Sequence, residues 1–83
     1  MKNREVADLL LKIADGLDLS GENFFKIRAY RKAANVIQDL PEDIEKFYKD
    51  GTLTNIEGVG AGIAKKIDEY LTTGKMKKLE EVK

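Results

Sequence analysis

Three glycines on alternate positions, Gly58, Gly60 and Gly62, run directly into two lysines, Lys65 and Lys66. The stretch begins with Ile56-Glu57 and passes into an apolar pattern at Ile63, Ala64, Ile67 and Leu71, which is helical in spacing. Glycine reaches positive φ without strain and lets another molecule approach the backbone. The first amides of the helix that follows have no partner within it. Such amides, aided by the helix dipole, bind anions and phosphate groups. Apart from Glu57, no side chain of the turn obstructs that approach. The plain alternative is a tight interhelical corner, which normally needs one glycine at the helix boundary rather than three.

The lysine pair divides by geometry. The apolar face of the helix after the turn centres between Ile67 and Leu71, with Tyr70 at its edge, and Lys65 points nearly opposite it. Lys66 falls about 100° from that centre, at the boundary between core and solvent. A lysine there gives up part of its hydration, and the neutral amine is the form that attacks a carbonyl to give a Schiff base. Lys65, Lys75, Lys77 and Lys78 are sources of a cationic field around it. The competing reading is that Lys66 only lays its stem over apolar surface. Upstream, Arg28, Arg31 and Lys32 are spaced i, i+3 and i+4, a basic stripe suited to a phosphate backbone or simply to solvent. Tyr30 belongs to the core by spacing, its hydroxyl reaching the polar edge.

The rest of the composition narrows the chemistry. The chain of 83 residues has no Cys and no His, which excludes thiolate nucleophiles, imidazole bases, disulfides and the usual zinc sites. It is one domain, 1–83, too short for a deep catalytic cavity. No apolar run approaches the roughly 20 residues of a membrane span, and the charged start Met1 to Asp8 is no signal peptide. The expectation is a monomeric cytoplasmic protein with no membrane partner. Fifteen basic residues balance fifteen acidic ones. Their distribution is uneven: Lys26, Arg28, Arg31 and Lys32 stand without an acid between Phe24 and Gln38, whereas Asp39 to Asp50 is acidic. An acidic stretch of that kind leaves a protein-interaction module as a reading of a different class.

The elements that must position these residues are all helical. Val6, Leu9, Leu10, Ile13 and Leu17 predict a first helix from about residue 4 to Asp15, with Asn3 as N-cap and Gly16 ending it. After the turn cluster Ser20-Gly21-Glu22-Asn23, the stripe Ile27, Tyr30, Ala33, Ala34, Ile37 predicts a second helix to about Asp39. Pro41 starts a third, stopped at Gly51. A short helical turn near Thr52 to Asn55 leads into the glycines, the next helix runs to about Thr73 before Gly74, and Met76 to Val82 makes a last amphipathic piece. The fold class is therefore all-α, a compact bundle of four to five short helices.

Helix, glycine turn and helix at about 52–74 resemble the helix-hairpin-helix motif, which binds the DNA backbone through amides and without reading sequence. Taken with Ala29-Tyr30-Arg31-Lys32-Ala33-Ala34, the run Ile63 to Leu71, Thr73-Gly74-Lys75 and Lys78-Leu79-Glu80, nearly the whole chain resembles the amino-terminal domain of family X DNA polymerases, of the DNA polymerase beta-like, prokaryotic branch. That resemblance implies a DNA repair domain binding gapped or nicked DNA at a 5′-phosphate, with 5′-deoxyribose phosphate lyase chemistry in its beta-like members. It implies Lys66 as Schiff-base lysine, Lys26 as a 5′-phosphate contact, Tyr30 as its support and Lys78 as a further basic position. Arg31, Lys65 and Lys75 join Gly58, Gly60 and Gly62 as expected DNA contacts. It also implies a monovalent cation, Na+ or K+, on the backbone carbonyls of Thr54, Ile56 and Val59, and no cofactor for the lyase step. Thr54 and Gly62 stand where beta-like members carry lysines, and Glu57 where proline is frequent. These departures lower the phosphate affinity that the resemblance implies and favour a non-catalytic DNA anchor as the alternative.

Overall fold

Two apolar stripes of helical period must find each other, and they do. In the computed structural model, which describes residues 1–76, helix α1 (Asn3–Leu19) lies along α2 (Phe24–Asp39) in the most extensive contact of the fold. Val6, Leu10, Ile13 and Leu17 from α1 are buried against Ile27, Tyr30 and Ile37 from α2. Ala7, Ala14, Ala33 and Ala34 are buried with them, and their small size allows a close approach of helices. Then follow α3 (Ile44–Asp50), a 3-10 turn (Leu53–Asn55) and α4 (Ala61–Thr73). Among the described residues there is no strand, and no helix is long and apolar enough to cross a membrane.

The first helix is longer than its sequence pattern predicts. Gly16 does not end it but lies buried inside it, because the packing of Leu17 outweighs the roughly 1 kcal/mol that a glycine costs in a helix interior. The stop is Gly21, at φ 72°. The Glu22 N–H donates to the Leu17 carbonyl at 2.9 Å and the Gly21 N–H to that of Asp18 at 3.1 Å, the paired bonds of a Schellman ending. Asn23 then caps α2, its side chain accepting the Phe25 N–H at 2.8 Å. Helices α3 and α4 stop where expected, at Gly51 and Gly74. The piece expected over 76–82 lies outside the described residues except for Met76, which is buried.

Asn3 and Pro41 also play other parts than expected. Lys2 holds the N-cap position of α1 without a side-chain bond, and Asn3 is turned into the protein, only 4% exposed. Its Oδ1 accepts the Ile44 N–H at 2.6 Å, and its Nδ2 donates to the Glu42 carbonyl at 2.7 Å and to that of Leu40 at 3.5 Å. These bonds hold residues 40–43 outside the helix. Leu40 is extended, as the residue before a proline prefers, and α3 begins after Asp43, whose carboxylate accepts the Glu45 N–H at 3.1 Å.

Replacing Asn3 with Ala leaves the buried Ile44 amide and the Glu42 carbonyl without partners, and about 2–3 kcal/mol of unfolding free energy should be lost in a urea titration. Asn3→Asp buries a carboxylate with one oxygen against the Glu42 carbonyl, so its midpoint at neutral pH should fall at least as far as that of the Ala variant.

Candidate functional site

Ile56 and Val59 are buried apolar anchors on either side of the turn, and the Val59 N–H donates to the Ile56 carbonyl at 3.0 Å to close it. Gly58 between them has φ 87°. A Cβ on Gly58 would stand 3.5 Å from Val36 Cγ2 and 3.6 Å from Lys32 Cγ and Cε, so the turn is seated directly on α2. Gly60 is the N-cap of α4, its carbonyl accepting the Ala64 N–H at 2.9 Å. The amides of Gly60, Ala61, Gly62 and Ile63 find no acceptor among the described residues. A Cβ on Gly60 or Gly62 would meet nothing within 4 Å, and neither has positive φ. A corner therefore requires Gly58 alone; Gly60 and Gly62 leave their space open to solvent.

That space is a groove of about 440 Å³ between α2 and the hairpin. Lys26 and Tyr30 line it from α2, Gly58, Gly60 and Gly62 from the turn, and Lys66 from α4, with Ala29 and Ile63 as apolar walls. Lys66 is half-buried and Lys65 exposed, the division that their helical positions predict. Burial of Tyr30 pushes its phenol above the usual range, so at neutral pH it remains a protonated hydrogen-bond donor.

The remaining expected residues go elsewhere. Arg31 turns to α1, its guanidinium 3.5 Å from both Asp15 and Asp18, and does not line the groove. Its position on the helix puts it on the side that packs with α1, where acids neutralise it. Lys65 lines a second, smaller cavity of about 290 Å³ with Tyr48, Thr54 and Asp68. Lys75 is exposed beyond the end of α4, its N–H on Thr73 Oγ1 at 3.2 Å. Lys78 lies outside the described residues. The Thr54, Ile56 and Val59 carbonyls belong to the approach to the turn, and that of Ile56 already accepts one amide. No group of three or more His, Cys, Asp or Glu is placed to hold a metal ion among the described residues.

Sequence reasoning passed over the aromatic start of α2 and the seat of the hairpin. Phe24 and Phe25 are 63% and 76% exposed, edge to face at 6.4 Å, with the Arg28 guanidinium 5.6 Å above the Phe24 ring. Their only sequence signal is that they fall off the stripe of Ile27 and Tyr30. The contact of Gly58 with Lys32 and Val36 has no local signal, since it joins segments more than twenty residues apart. The far end of α4 is tied to α1 by the Tyr70 hydroxyl, which donates to the Glu5 carboxylate. That bond, with Lys2 also beside Glu5, lowers the Glu5 pKa, and the same bond raises that of Tyr70.

A family model described as a helix-hairpin-helix domain matches residues 1–76. The DNA polymerase/3'-5' exonuclease PolX of Bacillus subtilis (strain 168) is 32% identical over 82 residues, which make up 99% of this chain and 14% of that protein. The similarity lies in the amino-terminal region of that polymerase, as the sequence motifs lead one to expect.

Gly58→Ala forces a side chain into the left-handed region and should lower stability by about 1–2 kcal/mol. Gly62→Ala, inside α4 with open space around it, should leave stability unchanged or raise it by up to about 1 kcal/mol. Thermal unfolding of the two variants compares them directly. Because the Glu5 carboxyl is held down in the folded chain, its stabilisation is present at neutral pH and is lost as pH falls through the lowered folded value. In an NMR titration, Tyr70→Phe should move Glu5 up towards the ordinary carboxylate range and flatten the acid limb of stability.

Proposed function

The chain belongs to the helix-hairpin-helix domain family, and on that footing we propose that it anchors DNA through the phosphodiester backbone, with the 5′-phosphate end of a gap or nick lying in the groove between α2 and the hairpin. The observation that carries this reading is the convergence in one groove of Lys26, Tyr30, the open glycines and Lys66, drawn from three separate segments. Unpaired amides at the start of α4 offer donors to phosphate oxygens, and Lys26 adds a cation at the groove wall. Amide and lysine contacts of this kind carry no base information, so binding is sequence-independent. The name of the Bacillus subtilis relative specifies DNA as what it acts on, in keeping with that partner. A monovalent cation on the Thr54, Ile56 and Val59 carbonyls would use the second lone pair of the Ile56 oxygen.

On an abasic 5′ end, Lys66 is the nucleophile of a 5′-deoxyribose phosphate lyase. Its Nζ attacks the C1′ aldehyde, water departs and a Schiff base forms. Loss of a C2′ proton then drives β-elimination: the C3′–O bond breaks, the DNA end leaves as a 5′-phosphate, and hydrolysis frees the lysine. A non-catalytic anchor is the second reading. It is favoured by exposed Glu57 beside the turn and by Thr54 and Gly62, which put no lysine there.

Borohydride reduction in the presence of an incised abasic duplex should trap a covalent adduct with the native chain and none with Lys66→Ala. Trapping that never occurs removes the lyase step and leaves the anchor, and trapping that survives Lys66→Ala removes Lys66 as its nucleophile. Binding to a gapped duplex should weaken with a slope of about 3 in log Kd against log salt, as three or four phosphate contacts at about 0.9 each require. A flat salt profile would remove DNA binding altogether.

A further inference from the structure

The basic residues of α2 are not equivalent in the fold. Arg31 is neutralised by Asp15 and Asp18, Arg28 lies over the Phe24 ring, and Lys26 lines the groove. Lys32 has no acidic partner among the described residues and is exposed, with its stem beside the hairpin turn. Both Cγ and Cε stand 3.6 Å from the point where a Gly58 side chain would begin. The ammonium is one bond beyond that Cε, so the charge is delivered to the flank of the hairpin. It does not line the groove in which Lys26 and Lys66 sit.

We propose that Lys32 is a second backbone-phosphate contact of this domain, holding the bound strand at the flank of the hairpin outside the groove. This rests on the DNA-anchoring reading above. Three physical points support it. The Lys32 stem lies beside Gly58, and that neighbour restricts part of the rotamer freedom that an exposed lysine loses on binding. Glu57, the one acid of the turn, forms no ion pair with Lys32 and leaves that cation uncompensated. Finally, Lys26 and Lys32 are six residues apart on one helix, about 9 Å along its axis. At 100° per residue the two also lie about 120° apart around the helix, so they reach different phosphates of a strand. A chain of zero formal net charge thus presents two unpaired cations from one helix to the same backbone.

The test is binding of the 83-residue chain to a gapped duplex carrying a 5′-phosphate, measured by fluorescence anisotropy across a salt series. Lys32→Met keeps the apolar stem against Gly58 and removes only the charge; Lys32→Arg keeps the charge. The Met variant should bind several-fold more weakly, with the salt slope reduced by about 1, and the Arg variant should retain the native slope. The melting temperature of the Met variant should match that of the native chain. A native slope in the Met variant, while Lys26→Met loses about 1, overturns the assignment of Lys32 and leaves the anchor standing. Absence of salt-dependent binding in the native chain overturns both.

Discussion

A single buried amide determines how the second half of this chain is hung on the first. Asn3 is the one buried polar residue among those described, and its side chain satisfies backbone groups of Glu42 and Ile44 from across the fold. Polar groups removed from water must find partners, so this contact accepts only one path for residues 40–44. The direction in which α3 leaves α2 follows from that path, and the 3-10 turn and the hairpin follow from α3. Were the chain to turn elsewhere, Gly58 would not meet Val36 and Lys32, and the groove would have no second wall.

Helix α2 then serves two purposes with different faces. Ile27, Tyr30, Ala33, Ala34 and Ile37 are committed to the core, and Lys26, Ala29 and the hydroxyl edge of Tyr30 to the groove. Its charges are sorted by what lies opposite. The acids of α1 neutralise Arg31, whereas the hairpin side offers backbone and no acid within ion-pair distance of Lys26 or Lys32. Local field and overall charge are therefore different quantities here. A neutral total is compatible with a cationic groove because the compensating acids face elsewhere.

The three glycines separate on the same physical grounds. Gly58 is required by its positive φ, so it belongs to folding. Gly60 and Gly62 have ordinary backbone angles and empty space where side chains would be. Nothing in the packing demands them, and they lead into a helix start whose four amides have no acceptor among the described residues. A helix start assembled from better helix formers would be more stable, and it would also be covered.

The amino-acid sequence by itself determined the helices, the residues of the core and the identity of the glycine turn, because each depends on local periodicity and on backbone chemistry written at consecutive positions. It placed Lys66 at a half-buried boundary and Lys65 in solvent from helical angle alone. Misread were the junctions: Gly16 lies inside α1 since packing exceeds propensity, Asn3 reaches across the fold instead of capping its own helix, and Pro41 stands before α3. Only tertiary structure decided which cations are free and where they meet. Arg31 and Lys32 are neighbours in the chain with the same charge, and the difference between them is what each helix face packs against. Lys26 and Lys66, forty residues apart, share a groove through contacts that no local pattern encodes.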